Sequence, residues 1–222
     1  MENHFKEYNF FKTTKEIKLQ AKEAIKGNKK NSLWLNFIFW LIKLCFFAGL
    51  TLLVFAFINF YSPIFLILLG LAIGFLIIAM FFYGPLRISV CKNALNMINN
   101  TNPSFKDISF GFNNYFKSMG FGIGLFFRYL FNLILLIIPF GFKYINSQFS
   151  PYILAENKDV KINEAFKLSK LYMRGYKISY VKLLFSFSLN FLLSIITIYV
   201  YSLFARPKFN TCVGCLYLDL KE

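Results

Sequence analysis

Long uncharged runs rich in Phe, Leu and Ile, separated by short polar segments, make up the hydrophobic pattern of the chain. A helix needs about 20 apolar residues to cross the hydrocarbon core of a bilayer. Runs of at least that length predict membrane-spanning helices at 33–58, 64–98, 115–138 and 180–204. The pattern therefore predicts an all-α protein, a polytopic helical membrane bundle formed by a single domain, 33–222.

Two shorter segments bring the predicted number of spans to five or six. Residues 142–156 are half polar and contain Pro151, so we expect a broken span that neighbouring helices surround. Residues 207–220 predict a short C-terminal helix, which begins where Arg206-Pro207 interrupts the preceding apolar run. Both alternatives, five spans or six, fit the pattern.

Glycine and proline mark the expected kinks and turns. Gly84-Pro85 is expected to kink the second span. Gly70 and Gly74 form a GxxxG pattern in the same span, which predicts close packing within the bundle. The full set of predicted kink and turn residues is Gly84, Pro85, Pro139, Gly141, Pro151 and Gly175.

Two basic amphipathic helices accompany the spans. In the N-terminal region, 1–32, Thr13 and Glu16 form a capping-box pattern before a helix that is expected to lie on the headgroups or in solvent. Residues 159–177 repeat apolar positions at intervals of three and four, which predicts a helix on an anionic leaflet or one docked on the bundle. Its basic residues are the candidate contacts for headgroups or a protein partner: Lys161, Lys167, Lys170, Arg174 and Lys177.

The charge distribution orients the predicted bundle. The chain carries 25 Lys and Arg against 10 Asp and Glu, a formal net charge of +15. Basic segments at 1–32, 86–117 and 156–182 alternate with uncharged turns at 59–63 and 139–141. The positive-inside rule then predicts a multi-pass protein of the cell membrane with a cytoplasmic N-terminus. Because the lysines flank apolar runs, we expect them to face anionic lipid headgroups and do not expect nucleic-acid binding.

Polar residues inside the apolar runs predict a polar interior. Arg128 lies in the third predicted span, and a charge at bilayer depth normally faces a partner or water. The alternative is a structural arginine satisfied by helix carbonyls and amide groups. Lys43 is expected to snorkel or to make an interior contact without function. The candidate polar interior comprises Arg128, Asn132, Lys143, Asn146, Gln148 and Glu156.

Few residues in the chain suit catalysis. His4 is the only histidine, and GxSxG, P-loop and HExxH patterns are absent. Cys212 and Cys215 form one CxxC pair, whereas a structural zinc needs four ligands. The sequence therefore predicts a protein that is not an enzyme and has no catalytic residue, no metal and no cofactor.

Short motifs at set spacings run through the chain from about Lys15 onward. They are Gly84-Pro85, Ile137-Ile138-Pro139 with Gly141, the run from Pro151 to Asn157, Glu164-Ala165, Ser169, Gly175 with Lys177, and Leu216-Tyr217. In their order and spacing the chain resembles a bacterial family of integral membrane proteins, the domain of unknown function 975 family. It departs from the family pattern at Glu156, Tyr176, Asn190 and Lys208. The resemblance implies a polytopic helical fold and supplies no activity, ligand or catalytic residue.

These observations favour a non-enzymatic function. We expect a bundle with a basic cytoplasmic face that binds anionic headgroups of the lipid bilayer, a protein partner or another copy of the chain. The alternative is a small transporter or channel for an anionic or amphiphilic solute, which would use the polar interior around Arg128.

Overall fold

The chain folds into α-helices. The computed structural model describes residues 12–27, 29–101, 106–135, 144–157, 159–197 and 200–221. Within these ranges the regular secondary structure is helical and no strand occurs, which confirms the all-α prediction. The helices are α1 (Thr14–Ile25), α2 (Lys29–Ile58), α3 (Phe65–Ile98), α4 (Lys106–Asn113), α5 (Tyr115–Leu135), α6 (Ser150–Glu156), α7 (Ile162–Tyr172), α8 (Lys177–Ser186), α9 (Ser188–Ile196) and α10 (Ser202–Lys221). The predicted turn residues Pro139 and Gly141 lie outside the described residues.

Helix α1 begins at the predicted capping box. The hydroxyl of Thr13 accepts a bond from the Glu16 amide at 3.4 Å, and the Glu16 carboxylate accepts one from the Thr13 amide at 2.7 Å. Ile17, Ala21 and Ile25 are buried, and the helix packs against α10 and α3. Protein therefore covers these three apolar side chains, which could otherwise have entered the headgroup region.

Helices α2 and α3 form a long antiparallel hairpin. They pack along most of their length, with the ring of Phe39 5.5 Å from that of Tyr83. Both are long and apolar enough to cross a membrane, over Ser32–Ile58 and Phe65–Ile98. Only 11% of the most apolar window of each helix is buried within the molecule. Such exposed apolar surface is unlike the buried core helix of a soluble protein and is compatible with a membrane-spanning helix.

The remaining helices surround the C-terminal half of α3. The short helix α6 lies at the centre of this compact part, packed against α3 and α7. Tyr152, Tyr180 and Tyr217 are fully buried there, together with Phe121 and Phe149. The core therefore sits at one end of the molecule, and the α2–α3 hairpin extends from it.

Some predicted boundaries were wrong. Within the predicted span 142–156 the described part has a helical turn at 144–146, a turn at 147–149 and the 7-residue helix α6, so it is not one continuous helix. The predicted run 180–204 contains a break at Phe187, between α8 and α9. The C-terminal helix begins at Ser202 and continues through Pro207, which is buried, so packing offsets the backbone bond that proline loses.

The helix predicted over 159–177 is shorter than expected. Its first residue is Ile162, because the amide of Lys161 donates to the Glu164 carboxylate at 3.2 Å and Asp159 lies outside the helix. It ends at Tyr172, before Gly175, which adopts a φ of +90°. The turn around Gly175 leads directly into α8.

The glycines that pack helices together are not those of the GxxxG pattern. A Cβ at Gly70 or Gly74 would meet no described atom within 4 Å. At Gly84, by contrast, a Cβ would lie 2.0 Å from the backbone oxygen of Ser118 on α5. The close approach of α3 to α5 therefore depends on Gly84 and on Gly122 opposite it, beside the proline that was predicted to kink α3.

Candidate functional site

The predicted polar interior is only partly assembled. Arg128 is exposed on α5, and its guanidinium carbon lies 3.8 Å from the ring centroid of Phe166 on α7. The side chain of Asn132 and all of Lys143 lie outside the described residues. Gln148 is buried and lines a polar cavity, whereas Glu156 lies elsewhere. In the described part of the chain Arg128 does not line the cavity that Gln148 lines, and a polar interior around Arg128 stays a prediction.

A polar cavity of about 140 Å³ lies where the hairpin meets the compact part. Residues from α2, α3, α5, α6, α8, α9, α10 and the segment 144–149 before α6 line it. Its described polar lining consists of Lys43, Tyr83, Arg87, Tyr144, Ser147, Gln148, Arg206 and Asn210. Because the lining comes from eight segments, the cavity exists only in the folded chain.

Three cationic side chains line this cavity, each from a different helix. Lys43 comes from α2, Arg87 from α3 and Arg206 from α10, and all three residues are half-buried. The ammonium of Lys43 lies 4.1 Å from the ring centroid of Phe39, one turn earlier on α2. We call Lys43, Arg87 and Arg206 the cationic triad.

Neutral amide groups position the central arginine. Arg87 Nη1 donates to Asn210 Oδ1 and Nη2 donates to Gln148 Oε1, both at 3.5 Å. Asn210 is held in turn, because its Nδ2 donates to Asn36 Oδ1 at 3.4 Å and its carbonyl accepts from the Tyr152 hydroxyl at 2.7 Å. These contacts fix the guanidinium without supplying a negative charge.

No described residue that lines the cavity is acidic. The carboxylates of the described chain lie elsewhere: Asp107 accepts from Asn96, Asp219 pairs with Lys12, and Glu164 caps α7. Segment 136–143, which precedes Tyr144 in the chain, contains no Asp or Glu. Burying cations is costly unless an anion or dipoles offset the loss of hydration. The lining therefore suits an anionic ligand.

Glu156, a predicted member of the polar interior, is part of a separate polar cluster. Its carboxylate accepts from the Tyr217 hydroxyl at 2.7 Å and pairs with Lys221 at 2.5 Å. Burial raises the pKa of Glu156, but the bonds from Lys221 and Tyr217 and the nearby charge of Lys92 outweigh burial, so the pKa is lowered. The cluster joins α6 to the C-terminal end of α10 and has a structural role.

We expect acid to destabilise the protein through this cluster. Since the pKa of Glu156 is lower in the folded state, its stabilising effect is present at neutral pH. That effect is lost as the pH falls below about 4.3, the ordinary value for glutamate, and through the folded pKa. Thermal unfolding in neutral detergent between about pH 6 and 3 measures this. Glu156→Gln should be less stable than the wild type at pH 6 and show a smaller further loss at pH 3; equal losses in both proteins would contradict the role of Glu156.

The predicted basic contact residues lie on the outer surface of α7 and the residues that flank it, up to Lys177 at the start of α8. Lys161, Lys167, Lys170 and Arg174 are exposed and Lys177 is half-buried. Ala165, Phe166 and Met173 on the opposite face are at most 5% exposed. Protein covers the apolar face, so the helix is docked on the rest of the molecule; this is compatible with the predicted headgroup contact through its other face. The outward face keeps its positive charge.

The cysteine pair does not form a described metal site. Cys212 and Cys215 are buried on α10, and burial raises the pKa of each thiol to about 12. Among the described residues, no group of three or more His, Cys, Asp or Glu is close enough to hold a metal ion. These thiols therefore act as small apolar groups in the core.

Sequence reasoning underrated each member of the cationic triad. The sequence predicts that Lys43 snorkels or makes an interior contact without function, places Arg87 in the basic segment 86–117, and makes Arg206 part of the break before the C-terminal helix. One signal was available, since each is a cation next to or inside a long apolar run. A run considered alone does not reveal that three such cations meet.

The described fold defines an all-helical protein with two helices that are able to cross a membrane by length and composition. Comparisons with protein-family models, curated proteins and solved structures find no match to this chain. The resemblance to the domain of unknown function 975 family therefore stays a prediction.

Proposed function

We propose that this chain is a non-enzymatic integral membrane protein of the bacterial cell membrane that binds anionic groups of the membrane surface through its cytoplasmic face. The observation that carries the proposal is the cationic triad around a cavity whose described lining has no carboxylate. The exposed lysines of α7 provide a second, shallower basic surface. The two apolar helices of the hairpin provide the membrane attachment.

Phosphate is the anion that this lining favours. A guanidinium offers N–H donors in a planar fork that matches two oxygens of a phosphate. The lining places two arginines and a lysine around the cavity, with the hydroxyls of Tyr83, Tyr144 and Ser147 as further hydrogen-bonding groups. A cavity of about 140 Å³ has room for a phosphate group and water.

Inorganic phosphate is expected to stabilise the purified protein against thermal unfolding, relative to chloride at equal ionic strength. At ten times its Kd a ligand adds about 1.4 kcal/mol, which raises Tm by about 4 °C for a chain of this size. Arg87→Gln keeps an amide in place of the guanidinium and should weaken phosphate binding at least about tenfold. Differential scanning in a neutral detergent measures both effects.

The matched control is Lys15→Gln, which removes one positive charge from the exposed surface of α1, outside the cavity and outside the basic surface of α7. We expect its response to phosphate to equal that of the wild type. Arg206→Gln provides a second test if Arg87→Gln melts too low in chloride to be measured. Equal responses in Lys15→Gln, Arg87→Gln and Arg206→Gln would show that phosphate acts on the general surface charge, which would contradict the proposal.

Transport of an anionic solute is the second candidate function. The observation that favours it is the interruption between α8 and α9 at Phe187, because Leu184 and Phe191 on either side both line the cavity. Broken helices beside a polar cavity are common in transporters. Phosphate uptake into proteoliposomes that the wild type supports and Arg87→Gln does not would favour a transporter over a binding protein.

A further inference from the structure

An apolar groove adjoins the cationic cavity. It has a volume of about 550 Å³ and lies between α2, α3 and the side of α5. Lys43, Tyr83 and Leu125 line both the groove and the cavity. The groove therefore begins where the cationic triad ends, with the stem of Lys43 at the junction.

The walls of the groove are apolar and open to the surroundings of the hairpin. Phe47 and Leu50 line it on α2, and Ile73 and Ile77 line it on α3; these four side chains are between 40% and 49% exposed. Apart from Lys43 and Tyr83, its described lining is entirely apolar. A water-soluble anion in the cavity would leave this surface uncovered.

The position of the triad along the hairpin matches the headgroup level of a bilayer. From Lys43 to the end of α2 at Ile58 the helix rises about 22 Å. From the start of α3 at Phe65 to Arg87 it rises about 33 Å. The hydrocarbon core of a bilayer is about 30 Å thick. If the turn between α2 and α3 lies at one surface, Arg87 lies near the other surface and Lys43 lies about 8 Å inside it, roughly the reach of a lysine side chain. The groove then lies within the hydrocarbon.

We propose that cavity and groove form one binding site for an anionic phospholipid, with the phosphate among Lys43, Arg87 and Arg206 and an acyl chain along the groove. This inference rests on the proposed function and adds the class of ligand. Charge complementarity selects the phosphate, and continuity of the apolar lining selects a ligand with a chain. Zwitterionic lipids carry a cationic group that the triad would repel, so binding discriminates against phosphatidylcholine.

A series of ligands with the same phosphate and different numbers of chains tests the proposal. The probes are glycerol phosphate, lysophosphatidic acid and phosphatidic acid, and the neutral comparators are the monoacylglycerol and diacylglycerol with the same chains. Binding to the full chain is measured in a neutral detergent, where each comparator corrects for partition into the micelle. Burial of a few methylene groups is expected to lower Kd at least about tenfold from glycerol phosphate to lysophosphatidic acid.

Two sets of variants separate the contribution of the acyl chain to binding from the contribution of the phosphate. Leu50→Ala with Ile77→Ala removes exposed side chains from the groove wall. This double variant should reduce the gain in affinity that the acyl chain gives, while leaving the Kd of glycerol phosphate unchanged. Leu66→Ala with Ile67→Ala is the matched control, because both side chains are exposed on α3 and lie outside the groove lining. Arg87→Gln should weaken all three phosphate ligands and leave the neutral comparators unchanged.

Each outcome decides between the two proposals. Tight binding of lysophosphatidic acid that falls in the groove variant and in Arg87→Gln supports the lipid site. If glycerol phosphate binds as tightly as lysophosphatidic acid and the groove variant changes neither, the site holds a soluble phosphate and the lipid inference is wrong. If no phosphate ligand binds better than its neutral comparator, the proposed anion-binding function itself is wrong.

Discussion

Replacing Gly84 by alanine is expected to lower the free energy of unfolding by more than about 3 kcal/mol, or Tm by about 10 °C for a chain of this size. The added Cβ would lie 2.0 Å from the oxygen and 2.9 Å from the carbonyl carbon of Ser118, and 3.0 Å from the amide nitrogen of Gly122. These are backbone atoms of α5, so no side-chain rotation relieves the overlap. Helices α3 and α5 must separate, which disturbs the packing of the buried Phe121 and Leu125.

The control for this prediction is the same change at Gly70, on the same helix. A Cβ there would meet no described atom within 4 Å. Alanine is favoured over glycine in a helix by about 1 kcal/mol, so Gly70→Ala should leave Tm unchanged or raise it. Far-ultraviolet circular dichroism during heating in neutral detergent measures both variants. Equal melting of Gly70→Ala and Gly84→Ala would show that α3 and α5 do not meet as described.

Features that depend on a few neighbouring residues were predictable. The capping box of Thr13 and Glu16 is confirmed because both of its hydrogen bonds lie within one turn. Gly175 is among the predicted kink and turn residues, and it has a positive φ close after α7. The long apolar runs that became α2 and α3 were also clear from hydropathy alone. Each of these signals is local in the chain.

Features that depend on packing were not predictable in the same way. Pro207 reads as a helix breaker, yet α10 continues through it because the surrounding helices bury this turn. The GxxxG pattern reads as a packing motif, yet the close contact uses Gly84 and Gly122, which are on different helices. In both cases the deciding contact comes from a distant part of the chain, and local spacing carries no information about it.

The residues of the candidate site likewise divide into features visible in the local sequence and features that depend on the fold. Arg128 was chosen because it stands alone in an apolar run, but a long side chain on a helix surface can be satisfied by a ring, as it is by Phe166. The cationic triad combines helices α2, α3 and α10, and only the fold brings Lys43, Arg87 and Arg206 to one cavity. Conversely, the absence of acidic residues inside the apolar runs was visible in the sequence and becomes informative once the cavity is known.

A cysteine at position 61 is expected to react almost completely with a membrane-impermeant maleimide added outside sealed, right-side-out vesicles. Tyr61 is 99% exposed in the turn between α2 and α3, where the amide of Ser62 bonds to the carbonyl of Asn59 at 2.9 Å. If the hairpin crosses the membrane with the N-terminus in the cytoplasm, this turn is the part of the hairpin that reaches the outer surface. Labelling of Tyr61→Cys against the wild type, which supplies the background from the native cysteines, measures its position.

The companion variant Lys167→Cys places a thiol on the exposed face of α7, in the compact part around the C-terminal half of α3. We expect almost no labelling of this variant until the vesicles are opened, since the positive-inside rule puts the basic surface in the cytoplasm. The reverse pattern would show an inverted hairpin, in which the cationic triad would face the outer leaflet. Protection of both positions would show that the turn stays within the membrane, and labelling of both would show that the hairpin does not cross. Only the expected pattern places Lys43 and Arg87 at the level of the inner-leaflet phosphates, so the pair of labels also tests the geometry on which the lipid site depends.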